Sequence, residues 1–87
     1  MRPRFQMTTG QAIRAWRKHR GLTQQEAAAR AGPGWQSQWS EIETGHSEPE
    51  LATLDRFAEA LSTTAPCILL TRIDGETIHA DYGKGRR

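Results

Sequence analysis

Cysteine is nearly absent from this chain. Cys67 stands alone, so no disulfide can form within the chain and a reducing compartment is expected. Long hydrophobic runs are missing too: no stretch approaches the roughly 20 apolar residues of a membrane span, and no secretory leader is expected ahead of the first helical signal. A soluble, cytoplasmic protein is expected. Histidines are few and scattered, at His19, His46 and His79, and nothing has the spacing of a metal cluster, a nucleophile elbow or a phosphate loop. No catalytic, cofactor-binding or metal-binding residues are therefore expected, and Cys67 reads as a small buried apolar residue. An excess of one charge is lacking as well. A net charge of +2 is by itself poor evidence for a nucleic-acid partner.

What is present is an uneven distribution. Residues 1–30 hold Arg2, Arg4, Arg14, Arg17, Lys18, Arg20 and Arg30 against the single acid Glu26. Residues 31–62 reverse this, with Arg56 alone facing Glu41, Glu43, Glu48, Glu50, Asp55 and Glu59. A basic amino-terminal half beside an acidic segment suggests one face for phosphates and another turned away from them; mutual neutralisation across solvated surface is the blander alternative. At 87 residues the chain fits one domain, but a domain of this size buries only about 60% of its unfolded surface, so dimerisation is a natural supplement.

Four helices are predicted in succession. Residues 1–7 read as a flexible arm, and the first helix starts at Thr8 or Thr9 with Gln11 completing a capping box; Ala12, Ile13 and Trp16 are its buried stripe and Gly21 its end. Thr23 and Glu26 form the same start signal for a second, alanine-rich helix, which Gly32-Pro33-Gly34 stops. A third helix begins near Trp35. Trp39 and Ile42 face inward from it, leaving Gln36, Ser37, Gln38, Ser40 and Glu41 on exposed faces. A fourth follows Ser47-Glu48-Pro49-Glu50 and presents Leu51, Leu54, Phe57, Ala58 and Leu61 at core spacing.

Past Leu61 the period changes. Ser62 to Ala65 reads as a linker, Pro66 as a helix stop, Cys67 to Ile73 as a strand, Asp74-Gly75 as a hairpin turn and Glu76 to Tyr82 as the returning strand. With Ile73 opposite Glu76, Cys67, Leu69, Thr71, Ile73, Ile78, Ala80 and Tyr82 share one face, and Ile68, Leu70, Arg72, Thr77, His79 and Asp81 the other. The first face would cover the helices. A lone ribbon is unstable and has open edges, so Ile68, Leu70, Arg72 and His79 are expected at a two-fold dimer interface; a hairpin that only caps its own core is the alternative. Residues 83–87 form a basic tail.

Four motifs stand in order along the chain: Ile13-x-x-Trp16-Arg17; Gly21-Leu22-Thr23-Gln24; Ile42-Glu43-x-Gly45; and Pro49-x-Leu51-x-x-Leu54-x-x-Phe57-Ala58-x-x-Leu61. With them the chain resembles the helix-turn-helix family of phage repressors, Cro proteins and XRE-type bacterial regulators, from about Thr9 to Leu61. The resemblance implies a mainly α, lambda-repressor-like domain of about four to five short helices over residues 8–62, α+β overall once the hairpin at 66–82 is added. Hairpin-dimerised Cro proteins and some antitoxins are similar in that arrangement. It also implies that Arg17 pairs with Glu43 as a structural salt bridge, and that Gln24 contacts a DNA phosphate. Two departures stand out. The stretch from Gly32 to Ile42 is about one residue longer than is usual, and the loop after Gly45 offers only His46 where relatives often carry Lys or Arg against a phosphate.

The function expected is a bacterial or phage-encoded, nucleoid-associated DNA-binding regulator. Gln36, Ser37, Gln38, Ser40 and Glu41 are the candidate readers of base edges, since Gln suits adenine, Ser several edges and Glu cytosine. Arg14, Lys18, Arg20, His46, Arg86 and Arg87 are candidate phosphate contacts beside Gln24. The expected partners are double-stranded DNA with a pseudo-palindromic operator and a second copy of the chain, as in an autoregulating repressor. The alternatives are an antitoxin that also binds a toxin, and a protein-interaction module without DNA binding.

Overall fold

Two threonines start the first two helices in the same way. In a computed structural model, which describes residues 7–75 and 77–80, the Thr8 hydroxyl accepts the Gln11 N–H at 3.0 Å while the Gln11 side chain accepts the Thr8 N–H at 2.9 Å. Thr23 and Glu26 repeat the exchange at 3.0 and 2.9 Å. These boxes open α1 (Thr9–His19) and α2 (Gln24–Ala31), and α3 (Gln36–Glu43), α4 (Leu51–Ala60) and α5 (Ala65–Asp74) follow, then a 3-10 turn over Thr77–Ala80. No helix among the described residues is long and apolar enough to cross a membrane.

The core gathers Ile13 and Trp16 from α1, Trp39 and Ile42 from α3, Leu54 and Phe57 from α4, Leu61, and Ile68 from α5. Trp39 stacks on Phe57 with ring centroids 4.0 Å apart. Ala27, Ala28 and Ala31 are buried, and their small side chains let α2 lie close against both α3 and α4. At Gly10, α1 lies against the backbone of α3. A methyl group added at Gly10 would overlap the Ile42 carbonyl oxygen and press on the backbone of Glu43, so only glycine fits. Leu51 departs from the expected stripe: as the first residue of α4 it is 70% exposed, and the buried face begins one turn later at Leu54.

The expected carboxy-terminal hairpin is not formed. Residues 65–74 are helical, and no strand occurs among the described residues. Thr64 caps α5 by accepting the Cys67 N–H at 3.3 Å, and Pro66 lies in the first turn, where a missing N–H costs no intrahelical bond. Ala65, Ile68 and Thr71 are buried at a spacing of three, a helical face that strand pairing would have scattered. Thr71 accepts the Trp16 indole N–H at 3.0 Å and donates to the Cys67 carbonyl at 2.8 Å, fixing α5 to α1.

Asp74-Gly75, read as a hairpin turn, ends the helix instead. Gly75 has φ 66°, and its N–H bonds the Thr71 carbonyl at 2.9 Å. The Asp74 carboxylate then accepts the Thr77 N–H and hydroxyl at 3.1 and 2.8 Å, starting the 3-10 turn. The expected dimer face is broken up accordingly. Ile68 is wholly inside the subunit. The Arg72 side chain donates to the Met7 carbonyl at 3.1 Å, and the Met7 N–H returns a bond to the Arg72 carbonyl at 2.9 Å. Leu70 and Ile73 are 51% and 64% exposed, so Ile73 does not cover the helices as expected. The His79 side chain, Asp81 and Tyr82, the arm before Met7 and the tail at 83–87 lie outside the described residues.

Candidate nucleic-acid interface

The turn between α2 and α3 is unusual for having no polar cap. Gly32 and Gly34 adopt φ of 132° and 86°, which carries the chain around Pro33, and Trp35 occupies the N-cap of α3 without a side-chain bond to the helix. Its ring fills the space instead. It packs edge-on to Phe57 at 5.7 Å and lies under the Arg56 guanidinium at 5.6 Å, while Arg56 donates to the Ala31 carbonyl at 2.9 Å and so closes the end of α2. The lengthened turn is therefore filled by an indole and capped from α4.

From there α3 shows solvent a polar face. Gln36, Ser37, Gln38 and Glu41 are exposed and Ser40 is half-buried, while Trp39 and Ile42 point into the core. The helix is held at its last residue. Glu43, its side chain only 2% exposed, accepts four hydrogen bonds. Arg17 donates Nε to Oε2 at 2.6 Å and Nη2 to Oε1 at 3.0 Å; Gln24 donates to Oε1 at 3.0 Å and the Trp39 indole to Oε2 at 2.7 Å. Burial works to raise the Glu43 pKa. The bonds from Arg17, Gln24 and Trp39 and the Arg17 charge outweigh it, holding the carboxyl below the ordinary glutamate value. Arg17 also donates Nη1 to the Leu22 carbonyl at 2.8 Å, so one guanidinium joins α1, the loop before α2, and the end of α3.

Residues 9–66 match the family of the helix-turn-helix domain. The chain belongs to that family, of the XRE/Cro-like kind. In this helix-turn-helix domain α2 and α3 are the paired helices, and the family points to a DNA-binding regulator. No curated protein matches the chain.

The remaining candidate residues are distributed unequally around the helix-turn-helix. Arg14 and Lys18 are exposed on α1. Arg20, the C-cap of α1 two residues further on, is turned inward: it donates to the Leu61 and Ser62 carbonyls at 2.6 and 2.7 Å and lies over the Trp16 ring at 5.3 Å. It closes the carboxy-terminal end of α4, where a cation is favoured by the helix dipole, so it is not a free phosphate ligand. Gln24 has its side-chain amide engaged by Glu43, which leaves its backbone N–H in the first turn of α2. His46 is exposed and bonded to Thr44 at 2.8 Å.

Sequence reasoning missed Gly10 and two of the four bonds to Glu43, those from Gln24 and Trp39. A glycine inside the first turn of a capped helix signals a close backbone approach, and that cue was available. Nothing local marks Gln24 or Trp39 as a partner of Glu43, because both bonds depend on how the helices cross.

Proposed function

We propose that this helix-turn-helix protein is a sequence-specific regulator of transcription that binds double-stranded DNA as a dimer and represses by occupying a pseudo-palindromic operator, in the first instance at its own promoter. The observation that carries the reading is the presentation of α3. Its end is fixed by the Glu43 cluster, its flank lies hard against Gly10, and its outer face offers Gln36, Ser37, Gln38, Ser40 and Glu41. A rigidly held helix with short polar side chains suits direct readout in a major groove. Arg14 and Lys18 on α1, the Gln24 backbone N–H at the start of α2 and His46 after α3 supply phosphate contacts.

An eight-residue α3 reaches only a few base pairs, so specificity requires a second copy. Helix-turn-helix dimers place their recognition helices about 34–36 Å apart. Leu70 and Ile73, exposed one turn apart on α5, form the apolar stripe that a second copy covers. The acidic outer side of α4, with Leu51 exposed and Asp55 one turn on, favours as a second reading an antitoxin whose α4 takes a basic partner protein.

Fluorescence anisotropy of the protein titrated onto DNA from directly upstream of its gene, with excess scrambled competitor at two salt concentrations, tests the first reading. Competitor-resistant binding by two subunits per site is the expected result. Weak binding equal on all sequences would overturn it and turn the search to a protein partner.

A further inference from the structure

Thr44 closes α3, and its hydroxyl stands between two claimants. Its oxygen lies 3.0 Å from the Ser40 carbonyl and 3.1 Å from that of Glu41, placed to donate to them. On the other side it is 2.8 Å from Nδ1 of His46. A hydroxyl carries one hydrogen. The carbonyls at the end of a helix are the negative pole of its dipole, so the hydrogen is drawn toward Ser40 and Glu41, and the oxygen can then only accept from the ring. In that arrangement Nδ1 carries the proton. The neutral ring is thereby fixed as the Nδ1–H tautomer, and its Nε2 keeps a bare lone pair; only the imidazolium has an N–H at Nε2.

The surroundings give this weight. Residues 31–55 contain no Lys or Arg, so His46 is the one side chain there able to become a cation. Close to it in sequence stand the exposed Glu41 of α3, Glu48 of the loop and Glu50 before α4, while Glu43 is buried against Arg17. Packed on α3, α1 brings Arg17, whose guanidinium is already held by Glu43 and Leu22. A neutral His46 would meet a phosphate with a lone pair on an edge of exposed carboxylates. Protonated, it offers a donor and a charge, and its Nδ1–H bond to Thr44 leads into the negative end of α3.

We infer that Thr44 is a positioning residue that sets the His46 tautomer, so that this edge accepts a DNA phosphate only when the ring is protonated and each subunit takes up one proton on binding. The inference rests on the DNA-binding reading above. Its chemistry is sequence-independent, because the ligand is the phosphate backbone.

The test has two parts. In the free protein at pH 8.5, long-range proton–nitrogen correlation spectra should show His46 mainly as the Nδ1–H tautomer, with Thr44→Val shifting it to Nε2–H and Thr44→Ser retaining Nδ1–H. With a 30-base-pair mixed-sequence duplex at constant ionic strength, the Kd should rise from pH 6 to pH 8, toward a limit of about tenfold per pH unit for each subunit bound, or about a hundredfold for a dimer. His46→Gln should abolish the dependence and His19→Gln should keep it. Thr44→Val should flatten it and, at pH 8, bind several-fold tighter than the parent; Thr44→Ser should restore the parental profile. An Nε2–H tautomer in the parent, or a pH-independent Kd for a duplex that does bind, overturns the inference and leaves the DNA-binding reading intact. No duplex binding at any pH overturns both.

Discussion

Gly10 has no side chain, and α1 can reach α3 only because of that. Gly10→Ala forces the two backbones apart at the residue before Glu43. Overpacking of this kind costs about 1–3 kcal/mol, and the upper end is expected because a carbonyl oxygen cannot rotate away. Thermal unfolding of the variant should show a lower Tm, and any DNA affinity should fall with it. Glu43 is the complementary case, a carboxylate whose four donors come from α1, α2 and α3. Glu43→Gln leaves the largely buried Arg17 guanidinium without its counter-charge, a loss on the order of 3–5 kcal/mol. Because the folded-state pKa is lowered, the stability contributed by this carboxylate is fully present above the unfolded value of about 4.3 and is lost as the pH falls through the folded value. Denaturant melts between pH 3 and pH 6 should show the parent losing stability at the acid end more steeply than Glu43→Gln. The Arg17–Glu43 pairing was readable from motif positions alone. The closure of α4 by Arg20 was not, because an arginine bound to distant carbonyls and one free in solvent look the same in a sequence.

At the scale of the element, α1 to α4 were legible and α5 was not. Caps, stops and a spacing of three or four agree for the first four helices, and the threonine boxes form as the sequence predicts. Cys67 to Leu70 is a continuous apolar run, which a strand and a buried helix share. Asp-Gly serves a hairpin and a helix end equally well, since both need a left-handed residue. The deciding cue lay upstream, where Thr64 and Pro66 make a helix start and Ala65, Ile68 and Thr71 a buried face. In the sequence Thr71 reads as a strand residue facing the helices; in the structure its hydroxyl satisfies Trp16. Thr71→Val keeps the shape and leaves the indole N–H buried and unbonded, at a cost of about 1–3 kcal/mol. Urea unfolding should show that loss, and tryptophan fluorescence should report a changed environment for Trp16.

For the whole molecule, the split between a basic amino-terminal half and an acidic middle survives folding only in part. Arg17 and Arg20 are consumed by internal bonds, while Arg14 and Lys18 remain exposed on α1. Each phosphate neutralised releases counterions and steepens the salt dependence of binding by about 0.9 in logarithmic slope. Arg14→Ala and Lys18→Ala should each lower that slope by close to one unit per subunit while leaving sequence preference unchanged; substitution of Gln36 and Gln38 should relax the preference and leave the slope alone. Titrations of specific and mixed-sequence duplexes at three salt concentrations separate these effects. The exposed face of α3 was legible because helical periodicity alone sorts Trp39 and Ile42 from their polar neighbours.

The paired bonds between Met7 and Arg72 bring two points far apart in the chain to one place. Pulled apart between these residues, the molecule is loaded as a zipper: the two bonds part first, and tension then peels α5 from α1 one contact at a time, with the Thr71–Trp16 bond as the next catch. Neither catch involves α2 or α3. An optical-trap record would therefore show a low, early rip for α5, with α2 and α3 still folded behind it.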